Sequence, residues 1–234
     1  MNIVKNLVSE SKYSVKCPYS MTPEFIVVHN TANDASAQNE VKYMISNNNQ
    51  VSFHFAVDDK EVVQGLPTDR NAWHAGDGGS GRGNRYGIAV EICYSKSGGA
   101  RFENAEKNAA KFIAQLLKER GWGVDKVKKH QDFSNKYCPH RTLDKGWASF
   151  VNMIKDYLNE LNKPVQTTQP SSISVGDKVK VKTTATHYAT GQSMASFVKG
   201  STYEVTRIDR NKLLLSDIVS WVWDYDVDKV GSTT

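Results

Sequence analysis

The segment Lys128–Arg141, KKHQDFSNKYCPHR, sets His130 and Cys138 eight residues apart with a polar stretch between them. Imidazole nitrogen and thiolate sulfur are ligands that suit zinc, and a catalytic zinc keeps three protein ligands with a fourth position open. A third ligand is available at His29, where the β-branched run EFIVVHN gives out into NTAND. Residues at the carboxyl ends of buried strands face the crevice where α/β sheets hold their ligands. Neither spacing is a short metal-binding repeat, so two readings stay open. In one, His29, His130 and Cys138 form an open zinc set. In the other, Cys138 is a small buried hydrophobe and His130 a loop residue.

Two charged residues extend the first reading. In YGIAVEICYS, Ile88, Val90, Ile92 and Tyr94 alternate with Ala89, Glu91 and Cys93. A carboxylate inside an apolar strand is costly to bury unpaired, so Glu91 should face a polar crevice. There it could take a proton from an attacking water. A salt bridge to Arg85 or Arg101 is the structural alternative. Lys136 lies two residues before Cys138, on the same side of an extended segment, where its ammonium could meet a developing oxyanion. Read alone, it is a solvated surface charge.

The elements that must position these groups are legible over residues 1–161. EFIVVHN, QVSFHFAVDD and YGIAVEICYS read as strands, with KEVVQGL as a hairpin partner or continuation. SAQNEVKYMISNN reads as a helix capped by Ser36. NAEKNAAKFIAQLLKERG is the clearest helix, with Asn104 as its expected cap. Its stripe is Ala105, Ala109, Phe112, Ile113, Leu116 and Leu117, and Gly121 ends it. A last helix is expected over about 145–161. This predicts an α/β catalytic domain, a mixed central sheet flanked by helices. Residues 162–172, rich in Pro, Thr, Ser and Gln, read as a linker. Residues 173–230 hold only short strand-like runs, which predicts a small all-β barrel.

Composition narrows the function classes. The 234 residues are 39% hydrophobic and 24% charged, as in a folded globular protein. Thirty basic against twenty-five acidic residues give a net charge of +5, which suits an anionic partner, but no Lys/Arg-rich run points to nucleic acid. Apolar runs such as Phe25–Val28 are too short for membrane insertion. The N-terminus lacks a signal-peptide pattern, so synthesis in a cytoplasm is expected. Three cysteines are no disulfide framework, and Cys17 and Cys93 read as structural. The stretch GDGGSGRGN lacks the phosphate-loop order and no helix is expected after it; it reads as a mobile loop at the rim of a groove.

Taken together, VVHNT, VSFHFAVDD, NAWHAG, GIAVEICYS and HQDFSNKYCPHR resemble the zinc-dependent N-acetylmuramoyl-L-alanine amidases of the type-2 amidase and peptidoglycan recognition protein family. The likeness runs over about residues 3–158 and is nearest to amidase endolysins of Bacillus phages. It implies zinc on His29, His130 and Cys138, with Glu91 and Lys136 catalytic. It makes His54 and His74 non-ligands, His54 lying in a strand beneath the site. Trp73 and His74, with Phe53, are expected to line the substrate groove. Some relatives carry a tyrosine where Phe53 stands, so here no phenol assists and Glu91 must do more. His140 is expected to support the ligands from behind. The implied partner is bacterial peptidoglycan, both glycan strand and stem peptide. The implied location is the cell wall, reached after holin-type release. A non-catalytic peptidoglycan-binding protein is the alternative, and a peptidase cutting within the stem or crossbridge is a third reading.

The segments ATHYATGQ and FVKG resemble bacterial SH3-type domains attached to wall hydrolases. Residues 173–230 carry eight basic and seven acidic residues, too even for purely electrostatic binding. Tyr188, Tyr203, Trp221, Trp223 and Tyr225 offer flat faces, with Tyr188 and Trp223 the expected wall contacts. Trp221 and Trp223 alternate onto one face, and at least one is expected in the barrel core. A secondary wall polymer is a further expected partner of this domain.

Overall fold

The β-branched runs read as strands do form a sheet, and they deliver their polar ends to one edge of it. The structure is a computed structural model that describes residues 3–162 and 173–230. These divide into two units, one within Met1–Lys163 and one within Pro164–Thr234. The expected linker, apart from Asn162, lies outside the described residues.

In the first unit the order is β1 (Ile3–Lys5), α1 (Tyr13–Lys16), β2 (Phe25–Asn30), α2 (Ala37–Ser46), β3 (Phe55–Val57), β4 (Val62–Gln64), α3 (Arg82–Tyr86), β5 (Gly87–Ile92), α4 (Gly99–Arg120), β6 (Val127–Lys129), α5 (His140–Lys145) and α6 (Trp147–Asn162). The six strands form one mixed sheet in the order β1-β4-β3-β5-β2-β6. Only the β3–β4 hairpin is antiparallel; β3, β5, β2 and β6 run parallel. A sheet that is parallel at its centre is covered on both sides, which is why β2 is buried at every position.

Helix α4 packs against α6 and the sheet. The expected stripe is all buried, and Phe112 meets Phe55 edge-on at 4.8 Å. Fully burying an aliphatic or aromatic side chain of this kind contributes roughly 1.5–3 kcal/mol. Two expectations fail here. Asn104 is not the cap: the chain turns at Gly98 and Gly99, both at positive φ, so α4 starts a turn and a half earlier. Only Phe55–Val57 of QVSFHFAVDD is strand. Before it, Ser52 N donates to Trp73 O and His54 N to Ala89 O, so these residues are used to build a wall rather than to extend a ladder. At its other end α4 stops at Gly121, which takes the left-handed conformation as expected. Ser36 caps α2, its hydroxyl accepting from Asn39 N.

The second unit is a five-stranded antiparallel sheet in the order β10-β9-β8-β7-β11, with β7 at Lys178–Val181, β8 at Thr202–Asp209, β9 at Lys212–Leu215, β10 at Ser220–Trp223 and β11 at Val227–Lys229. Its core gathers Val179, Val181, Val205, Leu213, Leu215 and Val222. The tryptophans correct the sequence reading. The face of β10 that enters the core is that of Val222, so Trp221 and Trp223 both point the other way and stay half-buried. Trp223 stacks on Tyr225 at 5.7 Å with planes 9° apart, and Lys212 Nζ sits 5.4 Å from its ring centroid. Tyr188 packs at the margin of the core and Tyr203 inside it.

Candidate active site

Strand register brings the first three groups together. His29 pairs with Glu91 across β2 and β5, and Val28 pairs with Lys129 across β2 and β6. One step further, His130 lies beside His29. Paired residues of parallel strands share a face, so His29, Glu91 and His130 stand in a row at the carboxyl ends of β5, β2 and β6.

Cys138 comes from the loop that follows β6. Gln131 N donates to Cys138 O at 3.0 Å, closing that loop. Asn30, next to His29, holds the far side. Its Oδ1 accepts from Arg141 N at 2.9 Å and from Thr142 N at 3.2 Å, which pins the first turn of α5 to the end of β2. Its Nδ2 donates to His29 O at 3.2 Å and to Thr142 Oγ1 at 3.3 Å. As a result one ligand atom from each of His29, His130 and Cys138 lies within 4.8 Å of the others. His29 Nδ1 and Cys138 Sγ are 3.9 Å apart.

The donor set fits a divalent metal of the zinc type. All three residues are buried, and His130 Nδ1 has no hydrogen-bonding partner among the described residues. Burial, reinforced by His74, His130 and Lys136, drives the His29 pKa well below the ordinary histidine range, so its ring is neutral as a ligand must be. Burial also lowers the His130 pKa. The Cys138 thiol is pushed up to about 11 by burial, so a cation is what would hold it as thiolate. Three lone-pair donors within 4.8 Å of one another form a cradle for a soft metal ion.

All the residues expected at the site share one cleft of about 630 Å³: His29, His130 and Cys138; Glu91 and Lys136; and Phe53, Trp73 and His74. Glu91 makes no salt bridge among the described residues, since Arg101 pairs with Asp59 and Arg85 lies over the Tyr19 ring. One of its carboxylate oxygens is buried without a hydrogen-bonding partner among the described residues. Burial pushes its carboxyl up to about 8, the Glu40 charge adding to this and Lys136 opposing it. Lys136 is exposed at the rim.

The walls depend on residues the sequence did not single out. Lys16 is fully buried, and its ammonium donates to Asn47 Oδ1, Asn49 O and Val51 O. It thereby fixes the stretch leading to Phe53. Ser52 Oγ accepts from Trp73 N, and Trp73 Nε1 donates to Val15 O, so the indole is held from both ends. The GDGGSGRGN stretch carries a short helix, α3, contrary to expectation, and most of it is tied down. Asp77 accepts from Gly83 N and Asn84 N, and Asn84 Oδ1 accepts from His74 N and Ala75 N. A Cβ on Gly83 would lie 2.4 Å from Ala75 Cβ and 2.9 Å from the Phe133 ring, so only glycine fits. His54 is structural as expected, though it precedes β3: its Nδ1 accepts from Ala89 N and its Nε2 meets Arg70 O. His140 does not back the ligands; its Nε2 meets Ser95 O at 3.3 Å. Cys17 and Cys93 are free and buried.

Residues 19–141, a span that contains every residue lining the cleft, match the family described as N-acetylmuramoyl-L-alanine amidase. The chain belongs to this amidase family. It is 58% identical over 192 residues to the N-acetylmuramoyl-L-alanine amidase CwlA of Bacillus subtilis strain 168, covering 81% of this chain and 70% of CwlA. To the amidase XlyB of the same organism it is 63% identical over 158 residues, covering 67% of this chain and 50% of XlyB. The solved structure of PlyL is 56% identical and superimposes with a TM-score of 0.64, covering 66% of this chain and 97% of PlyL. The α/β fold of the amidase unit is therefore one already seen in solved relatives. The chain spans about half the length of XlyB and 70% of CwlA.

Among the residues missed from sequence, Asn30 carried a readable signal: a polar side chain directly after the ligand at the end of a buried strand. Lys16 and Asn84 carried none, because their side-chain partners are 31 or more and 6 or more positions away in chain order.

Proposed function

We infer that this chain hydrolyses the amide joining the lactyl group of N-acetylmuramic acid to L-alanine of the peptidoglycan stem peptide. The observation that carries the reading is the convergence of His29, His130 and Cys138 beside Glu91 on the floor of the cleft. Zinc held by these three side chains would supply Lewis acidity, polarising a carbonyl and lowering the pKa of water toward about 7.

The chain's own groups do the rest. Glu91 accepts the proton of the attacking water and returns it to the nitrogen of the departing alanine. Burial pushes its carboxyl up to about 8 in the metal-free site, and a divalent cation held beside it would favour the carboxylate that a proton acceptor must be. The Lys136 ammonium stands at the rim where the carbonyl oxygen gains charge, and a positioned cation there lowers the barrier. With phenylalanine at position 53, no phenol shares this work. Phe53 and Trp73 offer apolar surface to the peptide and sugar, and His74 borders them.

For the second unit we propose an SH3-type wall-binding module. The support is the small antiparallel sheet together with the Trp223–Tyr225 stack and Tyr188, flat faces suited to sugar or peptide backbone. A domain division at about 161 and 173 goes with this reading. Tethering would raise the enzyme's local concentration at its polymer, and a secondary wall polymer is a candidate ligand. Among the described residues no helix is long and apolar enough to cross a membrane. We propose holin-type release as the route by which a phage-type enzyme of this design reaches the wall.

The non-catalytic alternative is disfavoured because Cys138, Glu91 and Lys136 are all present and share the cleft. Mass spectrometry of digested wall, with and without a chelator, tests the reading. Free L-alanine amino termini that appear only without chelator support it. New termini elsewhere in the peptide, or none, reject it.

A further inference from the structure

His74 is more than a groove residue. Its Nδ1 lies 2.9 Å from His29 Nε2, with the two rings edge to face at 86°. The other nitrogen of His29, Nδ1, is the one that faces Cys138 Sγ, at 3.9 Å. The two nitrogens of His29 are thus divided between the ligand cluster and His74. A neutral imidazole carries one proton. If Nδ1 is to offer a lone pair to a metal, the proton must sit on Nε2, and His74 Nδ1 must accept it in a hydrogen bond. The opposite tautomer would have His74 donate to His29 and would put a hydrogen on Nδ1, pointing into the cluster.

His74 is set in place by its backbone rather than by its ring. Asn84 Oδ1 accepts from both His74 N and Ala75 N at 2.8 Å, and Asn84 Nδ2 donates to Gly78 O at 3.0 Å. Asp77 in turn accepts from Asn84 N and Gly83 N at 3.2 and 2.6 Å. Among the described residues His74 Nε2 has no partner within ordinary hydrogen-bonding geometry, though the Gly83 and Gly87 backbones lie against the ring, so the short bond of this ring is the one to His29. A line of hydrogen bonds therefore runs from the glycine-rich loop through Asn84 to the backbone of His74, and from its ring to His29.

We propose that His74 is a positioning residue: its Nδ1 accepts the Nε2–H of His29, fixing the tautomer and ring angle that let His29 Nδ1 hold the metal, with Asn84 and the glycine-rich loop fixing His74. This rests on the zinc reading of the cluster. A ligating histidine commonly gives its second N–H to a carboxylate, carbonyl or water, and losing that acceptor weakens metal affinity or activity by about 10–100-fold. Here the acceptor is a second imidazole, itself held by the loop that borders the substrate cleft.

The test uses the full chain and three forms of it: wild type, His74→Ala and His74→Asn. The asparagine amide oxygen can occupy the place of Nδ1, so it restores the acceptor without the ring. Zinc affinity is measured by competition with a chromophoric chelator. The His29 ring nitrogens are followed by long-range nitrogen–proton NMR, and Tm of the metal-free protein reports the fold. His74→Ala is expected to lose about 10–100-fold in zinc affinity and His74→Asn to recover most of it, with similar Tm values. The His29 spectrum should show the proton on Nε2 in the wild type and a mixture of tautomers in His74→Ala. Zinc affinity for His74→Ala within about twofold of wild type overturns the proposal while leaving the metal reading intact. So does a His74→Asn variant no better than alanine, or a wild-type proton on Nδ1. A wild type that takes up no zinc at all sinks the metal reading, and this proposal with it.

Discussion

Removing the side chain of Asn30 is the sharpest probe of how the cleft is assembled. Asn30 is 6% exposed and makes four hydrogen bonds, one at 3.2 Å to His29 O within β2 and three, at 3.3, 2.9 and 3.2 Å, that join the end of β2 to the start of α5. At a net worth of about 0.5–1.5 kcal/mol each, the four together contribute roughly 2–6 kcal/mol. The two amide-donated bonds are long, which places the expected cost of Asn30→Ala near 3 kcal/mol, the stranded N–H groups of Arg141 and Thr142 supplying most of it. For a protein of this size each kcal/mol moves Tm by about 2–4 °C, so calorimetry of the metal-free chain should show a fall of roughly 6–12 °C. Because α5 begins two residues after Cys138, zinc affinity should fall as well. Asn30→Asp keeps the two acceptor bonds and loses the two donor bonds, and should lie between wild type and alanine on both measures. An alanine variant with Tm within about 2 °C of wild type and unchanged zinc content would refute the reasoning, because it would mean that Cys138 is held in place without this tie.

Four further outcomes follow from the site and the second unit. Glu91→Gln should lose about 10²–10⁴ in kcat on wall fragments while keeping its zinc. Because the carboxyl of the metal-free protein is raised from 4.5 to about 8, wild type should lose stability relative to Glu91→Gln as pH climbs from 4.5 through 8, with no difference below 4.5 in thermal melts; an offset that is flat with pH would contradict the unpaired burial of this group. Gly83→Ala places a methyl against Ala75 and the Phe133 ring, and overpacking of this kind costs about 1–3 kcal/mol, read as a lower midpoint in urea and reduced lysis. Trp223→Ala should reduce sedimentation with intact walls yet leave the turnover of a soluble muropeptide unchanged; equal binding would remove Trp223 from the wall-contacting face.

The residue types alone determined which chemistry is within reach: two imidazoles and a thiol that suit zinc, and a carboxylate in an apolar strand that has to face something polar. They also determined the strands and helices that depend on local pattern, such as FIVVHN, the Ser36 cap and the Ala105-to-Leu117 stripe, because side-chain period and capping are properties of neighbours in the chain. Resemblance, not spacing, made the ligand set definite, since His130 and Cys138 alone also read as a loop residue and a small core residue. Tertiary structure decided what depends on partners far away in sequence. The β2–β5–β6 register sets His29, Glu91 and His130 in one row, and a one-residue slip would have turned Glu91 to the opposite face. It put Val222 rather than a tryptophan into the second core, since pleat alternation says which residues share a face but not which face is inward. It moved the start of α4 to Gly98, where left-handed backbone could make the turn. It also gave Lys16, Asn30, His74 and Asn84 their work, because a buried polar group is defined by where its hydrogen bonds go, and those partners are chosen only when the chain folds.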